Sequence, residues 1–560
     1  MRSETRTLLS ILALSLCALS ACEDDDPAGP APLTAPANVQ ATALSSTAVR
    51  VTFAPVPGAQ SYTVQRAVSG GSFVTAGMAT TTTYEDSGLE PGTEYRYRVA
   101  AVRGAETGPY SEIVTVTTPP EGAKVATISA DITSDRTLYA DTVYTISGFI
   151  KVTNGATLTI EPGTTILGDY NTVGSSLFVL RGAKIIAEGT ADAPIVFTSS
   201  RPVGERRPGD WGGLIIVGNA RINRTHPVQL EGTGTDTETN PPVLYSGGTD
   251  DADDSGVLRY VRIEFAGYAT APNAELNSLT LAAVGSGTTI EYVQALAGLD
   301  DSFEWFGGTV DARYLVSYES GDDHFDASEG YRGRVQYMIA FQSKVLDPRP
   351  GAGGVGSDPQ GIENDGCDGA NCPDGQDSQP YTTPLFANFT LVGTGPGVVD
   401  QTSGGIGMLI RRGAGGTYVN GVIARWPRAA ISLRDATTQA RAASGDLALR
   451  NILVADNAVT CQPQSGATVQ FCVDLAANAI EERSDPAATL FSSLPTDPSG
   501  PAQLDWTPPP GSPAATGGLE TFPPAIAAKA GAFVTPTAYR GAADPNGPKW
   551  WQGWTNYADH

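Results

Sequence analysis

From Lys124 onward, short runs of alternating apolar and polar residues recur, each closed by Gly or Asn. Leu158-x-Ile160-x-x-Gly163-x-x-Ile166 returns nineteen residues later as Leu177-x-Val179-x-x-Gly182-x-x-Ile185. After a loop it returns again as Leu214-x-Ile216-x-x-Asn219-x-x-Ile222. A second series starts at Leu258-Arg259-Tyr260-Val261 and continues through Ile290-Glu291-Tyr292-Val293, Ala312-Arg313-Tyr314-Leu315 and Val335-Gln336-Tyr337-Met338. The last three tyrosines are 22 and 23 residues apart. Alternation with period two makes strands, and recurrence near twenty residues stacks those strands as rungs. The 3.6-residue rhythm of helical repeats is absent. The expected class is all-β, with a parallel β-helix over 124–484.

The segment 35–119 reads differently, as seven short strands with turns between them. Val49-Arg50-Val51-Thr52-Phe53 alternates, Pro55-Val56-Pro57-Gly58 turns, and Tyr62-Thr63-Val64-Gln65-Arg66 alternates again. Leu89-Glu90-Pro91-Gly92-Thr93-Glu94-Tyr95 has the turn-then-tyrosine form of a β-sandwich tyrosine corner. The whole segment resembles a fibronectin type III domain, with Phe53 where such domains usually carry Trp. The resemblance implies a spacer.

Ahead of this module, Arg2 and Arg6 precede an apolar run from Leu8 to Leu19, too short to span a bilayer and suited to a signal peptide over 1–21. Leu19-Ser20-Ala21-Cys22 resembles the bacterial lipobox, which implies lipidation of Cys22. The acidic, Pro-rich stretch 22–34 is expected to be an extended tether. By the same resemblance, the absence of Asp directly after Cys22 implies the outer membrane. At the other end, 485–560 is Pro-rich and carries Trp550, Trp551 and Trp554, expected to cap the open end of the solenoid.

Composition then narrows the function. A net charge of −25 leaves nothing to neutralise phosphates, so nucleic acid is excluded as a partner. Three histidines leave little room for His-based catalysis or metal binding. Cysteines Cys367/Cys372 and Cys461/Cys472 form two close pairs, read as disulfides in an oxidising compartment, with zinc as the weaker alternative.

The segments Gly155–Gly168, Gly182–Ser199, Asp210-Trp211-Gly212-Gly213, Leu258–Gly267, Asp300–Gly308 and Trp550-Trp551-Gln552-Gly553-Trp554-Thr555 resemble a family of exported bacterial right-handed β-helix proteins. The resemblance covers roughly 124–560 and implies the pectin-lyase-like fold, which hosts lyases, hydrolases, adhesins and capsule binders.

Candidate chemistry lies in two rungs. Gly298-Leu299-Asp300-Asp301-Ser302-Phe303-Glu304-Trp305 is followed by Ser320-Gly321-Asp322-Asp323-His324-Phe325-Asp326, with Asp300/Asp322 and Asp301/Asp323 each 22 residues apart. Stacked carboxylates about 4.8 Å apart repel by about 3–4 kcal/mol, so a cation, an Arg, a proton or solvent must offset them. Ile362-Glu363-Asn364-Asp365 continues the acidic column, and Ile410-Arg411-Arg412 and Leu433-Arg434-Asp435 bring basic rungs up to it. Three readings stay open. Asp residues at rung corners satisfy backbone N–H groups. Alternatively Asp300, Asp301, Asp322, Asp323 and Asp365 hold Ca²⁺, with acidic loops at 250–254 and 365–377 nearby. The third reading is catalytic. Gly321-Asp322-Asp323 resembles an element of polygalacturonase-type hydrolases, although its usual Asn-Thr-Asp, Gly-His-Gly and Arg-Ile-Lys partners are missing. A lyase would need Arg411 or Arg412 as base. Trp211, Trp305 and Trp426 suit packing better than sugar stacking.

The reading is an exported, lipid-anchored, non-catalytic binding or adhesion protein. It would present its β-helix to a polysaccharide or another surface component, assisted by Ca²⁺. The rivals are a polysaccharide lyase or glycoside hydrolase acting on an acidic polysaccharide, and a purely structural surface component.

Overall fold

The computed structural model describes residues 31–354, 359–395, 405–461, 470–498 and 500–557. The signal segment, Cys22 and the first part of the tether lie outside these residues.

The first module is a two-sheet sandwich. Strands Gln40–Ser45, Ala48–Thr52 and Thr83–Ser87 form one sheet. Val74–Ala79, Ser61–Val68 and Glu94–Arg103 form the other, together with Glu106–Tyr110 and Val114–Thr117. The seventh expected strand is therefore split in two, because the chain breaks at Ser111, whose Oγ accepts from Val99 N–H at 3.0 Å. Inward-facing Val49, Val51, Phe53, Val64, Tyr97 and Val99 make the core. Tyr95 OH accepts from Glu90 N–H at 2.9 Å, the expected tyrosine corner. The expected tether is shortened at its far end: Leu33 is an apolar side chain 5% exposed in this core, and Ala31 O accepts from Arg103.

The β-helix strands run from Lys124–Ile128 to Glu481–Arg483, in a seventeen-stranded and a ten-stranded sheet whose rung-to-rung pairings are almost all parallel. Like residues stack: Phe303 on Phe325, and Tyr260, Tyr292, Tyr314 and Tyr337 in a ladder with centroids 4.4, 4.4 and 5.0 Å apart. These tyrosines have φ between 48° and 68°, and the same bend is taken up by Asn388, Asn420 and Asn451 in later rungs. A left-handed residue inside a strand turns the chain without ending the ladder, and Asn tolerates it best after Gly.

The early nineteen-residue repeat does not measure a rung. Leu158 stacks on Ile185, 27 residues on, whereas Leu177 lies in the other sheet and stacks on Leu214. The motif marks corners within a rung, each needing a glycine such as Gly163 (φ 82°) or Gly182 (φ 84°).

The C-terminal segment also departs from expectation. It lies along the flank of the solenoid instead of closing its end. Rung residues Leu296, Val316, Tyr318, Ile339, Phe341, Val392, Val422 and Leu453 form a second apolar core, on which Leu490, Phe491, Leu504, Trp506, Trp551 and Trp554 pack. Strands that are apolar on both faces need cover on both. Side-chain amides from five rungs hold this strap: Gln294 to Asn556, Gln336 to Thr535, Asn388 and Asn420 to Thr537, Asn451 to Gly517. Both expected disulfides form, Cys367–Cys372 and Cys461–Cys472.

Candidate functional site

In the ten-stranded sheet, Phe303, Trp305, Phe325, Ala327 and Ile362 point into the core. Alternation therefore turns Glu304, Asp326 and Glu363 outward, and the register sets Glu304 beside Asp326 and Asp326 beside Glu363. The turn before each strand adds a pair: Asp300 and Asp301 ahead of Phe303–Phe306, Asp322 and Asp323 ahead of Phe325–Ser328. Irregular loops add Glu231, Asn273, Glu275 and Asn277. The result is a cleft of about 680 Å³ with nine carboxyl groups, and Arg411 and Arg412 among its lining.

Carboxylate oxygens approach one another in three overlapping trios. Asp300, Asp301 and Asp322 make the first, Asp301, Glu304 and Asp326 the second, and Asp323, Asp326 and Glu363 the third. Within each trio the oxygens lie within 4.8 Å. Donors are few. Asp301 Oδ1 accepts from Asp323 N–H (2.8 Å), Asp323 Oδ1 from Gln360 N–H (3.0 Å), and Glu304 from the Asn277 amide. Desolvation, reinforced by the neighbouring carboxylates, pushes Asp300, Asp301, Glu304, Asp323 and Asp326 well above the usual range. Glu231 and Glu363 rise to about 7 for the same causes. Asp322 has an exposed edge at the mouth, yet the protein crowded around its carboxylate and the facing Glu275 raise it to about 6.

These shifts set a pH dependence. Without cations the folded protein holds protons that the unfolded chain has already lost. The stability these carboxyls contribute is thus full below about pH 4 and falls as pH rises through 6 to 7. Melting temperatures of EDTA-treated protein are expected to fall from pH 5 to pH 8. A flat or rising profile would mean the carboxylates are already compensated.

Three expected site residues are placed differently. Asp365 joins none of the trios: it pairs in register with Arg411, and its oxygens are taken by Arg411 (2.8 Å) and Arg412 (2.5 Å). Arg411 also bridges Glu363, and Asp365 and Glu363 raise its pKa further. Arg412 adds Asp368 at 3.2 Å. Guanidiniums bound by carboxylates are poorly suited to abstract a proton, which removes the support for a lyase base at this position. Several carboxylates of the acidic loops are paired elsewhere: Asp251 with Arg221 and Arg332, Asp254 with Lys184, and Asp377 with Arg441. Trp211, Trp305 and Trp426 are 0–1% exposed and offer no face to a sugar. His324 is fully buried behind the cleft, with Nδ1 2.6 Å from Ser317 Oγ and its pKa pushed down to about 3 by burial, so it stays neutral.

Glu304 and Asp326 were not among the expected ligands, although they share the 22-residue spacing and the outward phase. Glu231 and Glu275 carry no such signal, because they come from loops without a repeat.

Residues 130–491 match the family described as Pectate-lyase like beta helix domain, and residues 34–117 match the Fibronectin type III domain. No curated protein matches the chain. Solved structures similar to it include the FN1-FN3 domains of chicken CNTN1, at 21% identity over 16% of this chain and 31% of that one, with a TM-score of 0.15. The chain thus spans about a third of the length of that relative. The FN5 domain of Drosophila Lar is 28% identical over 16% of this chain and 97% of its own, and a Fn3-like protein from Clostridium thermocellum is 32% identical over 16% and 96%. Both have TM-scores of 0.15.

Proposed function

The chain belongs to the pectate-lyase-like β-helix family, and from that premise we propose that it is an exported, lipid-anchored binding protein whose acidic cleft captures an acidic polysaccharide through Ca²⁺. The observation that carries this reading is the trio at the mouth, Asp300, Asp301 and Asp322. Their oxygens lie within 4.8 Å of one another, and one of the residues is open to solvent. Ca²⁺ takes six to eight oxygens, so three carboxylates leave positions for water and for ligand carboxylates. An acidic protein repels an anionic polymer unless a cation bridges the two. The fibronectin type III module serves as a spacer between the β-helix and an anchor at Cys22.

The test is retention of the mature protein on immobilised acidic glycans, polygalacturonate among them, with Ca²⁺ or with EDTA. Retention is expected with Ca²⁺ and is expected to be lost with EDTA and in Asp322→Asn. Equal retention in EDTA, or none on any acidic glycan, would sink the reading. One observation favours a hydrolase as the second reading: burial and neighbouring carboxylates raise Glu231 to about 7 and Asp322 to about 6 in an open cleft, so the two differ in protonation near neutral pH. Release of reducing ends, abolished by Asp322→Asn, would establish that reading in place of the first.

A further inference from the structure

The inner end of the cleft differs in kind from its mouth. Asp323, Asp326 and Glu363 bring oxygens within 4.8 Å of one another on two successive rungs, none of them shared with the mouth trio. Beside them sits Gln360, 7% exposed. Its backbone N–H donates to Asp323 Oδ1 at 3.0 Å and its side-chain amide nitrogen donates to Glu363, so the amide head lies inside the cluster. Gln360 Oε1 is buried and has no hydrogen-bond partner, and neither has Asp326 Oδ1. An unpartnered buried acceptor is destabilising, and the nitrogen of the same amide head is bonded to a carboxylate of the cluster. Turning the amide over would only set its oxygen against Glu363. A cation would satisfy both open oxygens and offset the repulsion among the three carboxylates without donating a proton.

We propose that Asp323, Asp326, Glu363 and Gln360 Oε1 form a second, inner site for a divalent, oxygen-seeking cation, separate from the mouth site. Four protein oxygens, one of them neutral, suit Ca²⁺ with water completing the shell, and Mn²⁺ in second place. Arg411 bonds the other oxygen of Glu363 and fixes that carboxylate from the far side. The mouth ion is the one a ligand would touch, whereas the inner ion neutralises the column behind it. This assignment deepens the proposed function and rests on the same cleft, but it does not require a glycan.

The experiment is calcium titration of the full mature chain by calorimetry and equilibrium dialysis, free of any glycan. The wild type is expected to bind two equivalents. Asp326→Asn should bind one and keep glycan retention, and Asp322→Asn should bind one and lose retention. Gln360→Glu gives a gain-of-charge control. It should bind its inner ion about tenfold more tightly, because ligand charge tunes Ca²⁺ affinity, and it should melt lower than the wild type in EDTA. A single equivalent that is lost in Asp322→Asn and unaffected by Asp326→Asn or Gln360→Glu would overturn the inner site and leave the mouth intact. One equivalent lost only in Asp326→Asn, with no glycan retained by any protein, would support the inner site and remove the proposed function. No bound calcium at all would overturn both.

Discussion

A chain ending at Ser484 is expected to self-associate and aggregate, a larger effect than any single substitution in the cleft should have. The strap beyond that point covers an apolar face that six rungs turn outward, from Leu296 to Leu453. Trp506, Trp551 and Trp554 are each 1% exposed or less and Phe491 is 3% exposed, all seated on that face. Burying one such side chain contributes about 1.5–3 kcal/mol, and the uncovered patch would exceed what monomers normally expose. The amide contacts from Gln294, Gln336, Asn388 and Asn420 would be lost at the same time. Analytical ultracentrifugation with a dye for exposed apolar surface reads the outcome. A monomer with unchanged melting temperature would show that the rungs are stable without the strap.

Arg411→Met is expected to give the second largest effect, a destabilisation of about 3 kcal/mol in cation-free protein. Arg411 sits between Glu363 and Asp365, whose side chains are 8% and 9% exposed. Removing it leaves Glu363 without a cationic partner and Asp365 with Arg412 alone, next to a column that already repels them. The loss should shrink as pH falls below the Glu363 value of about 7, because a protonated carboxyl no longer needs the guanidinium. Added Ca²⁺ should also recover part of it. Chemical denaturation at pH 8 and pH 5.5, each with Ca²⁺ and with EDTA, measures all four corners. An equal loss at both pH values would mean that Arg411 acts through packing alone.

Much of the architecture was legible because a solenoid writes its register into the sequence. Tyr292, Tyr314 and Tyr337, or Phe303 and Phe325, fall at constant spacing only if they stack, and they do. The stacked Asp pairs at 300/301 and 322/323 were readable for the same reason. Where the repeat stops, so does the legibility. Glu231 and Glu275 reach the cleft from irregular loops, and their approach is decided by tertiary packing that no local pattern records. The corner motif at Leu158 and Leu177 misled because glycine corners recur several times per rung. Asp365 looked like its neighbours along the chain, yet it lies two residues past Glu363 on the same face, where its register partner is Arg411 instead of a carboxylate. The strap's course was hidden because proline-rich segments without strands have no periodicity to read.

The amide contacts between the rungs and the strap have a consequence for how this protein could evolve. A solenoid can lengthen or shorten by duplicating or deleting whole rungs, since each unit contacts only its neighbours. In this chain Gln294, Gln336, Asn388, Asn420 and Asn451 are all held by one C-terminal segment, at Asn556, Thr535, Thr537 (twice) and Gly517. Adding or removing a rung between Gln294 and Asn451 would change the distance between contacts that this one segment makes together, so the strap holds the number of turns it covers. Growth of the repeat is then confined to the rungs before Tyr260, outside the strap's reach, while the span that carries the carboxylates is held at constant length.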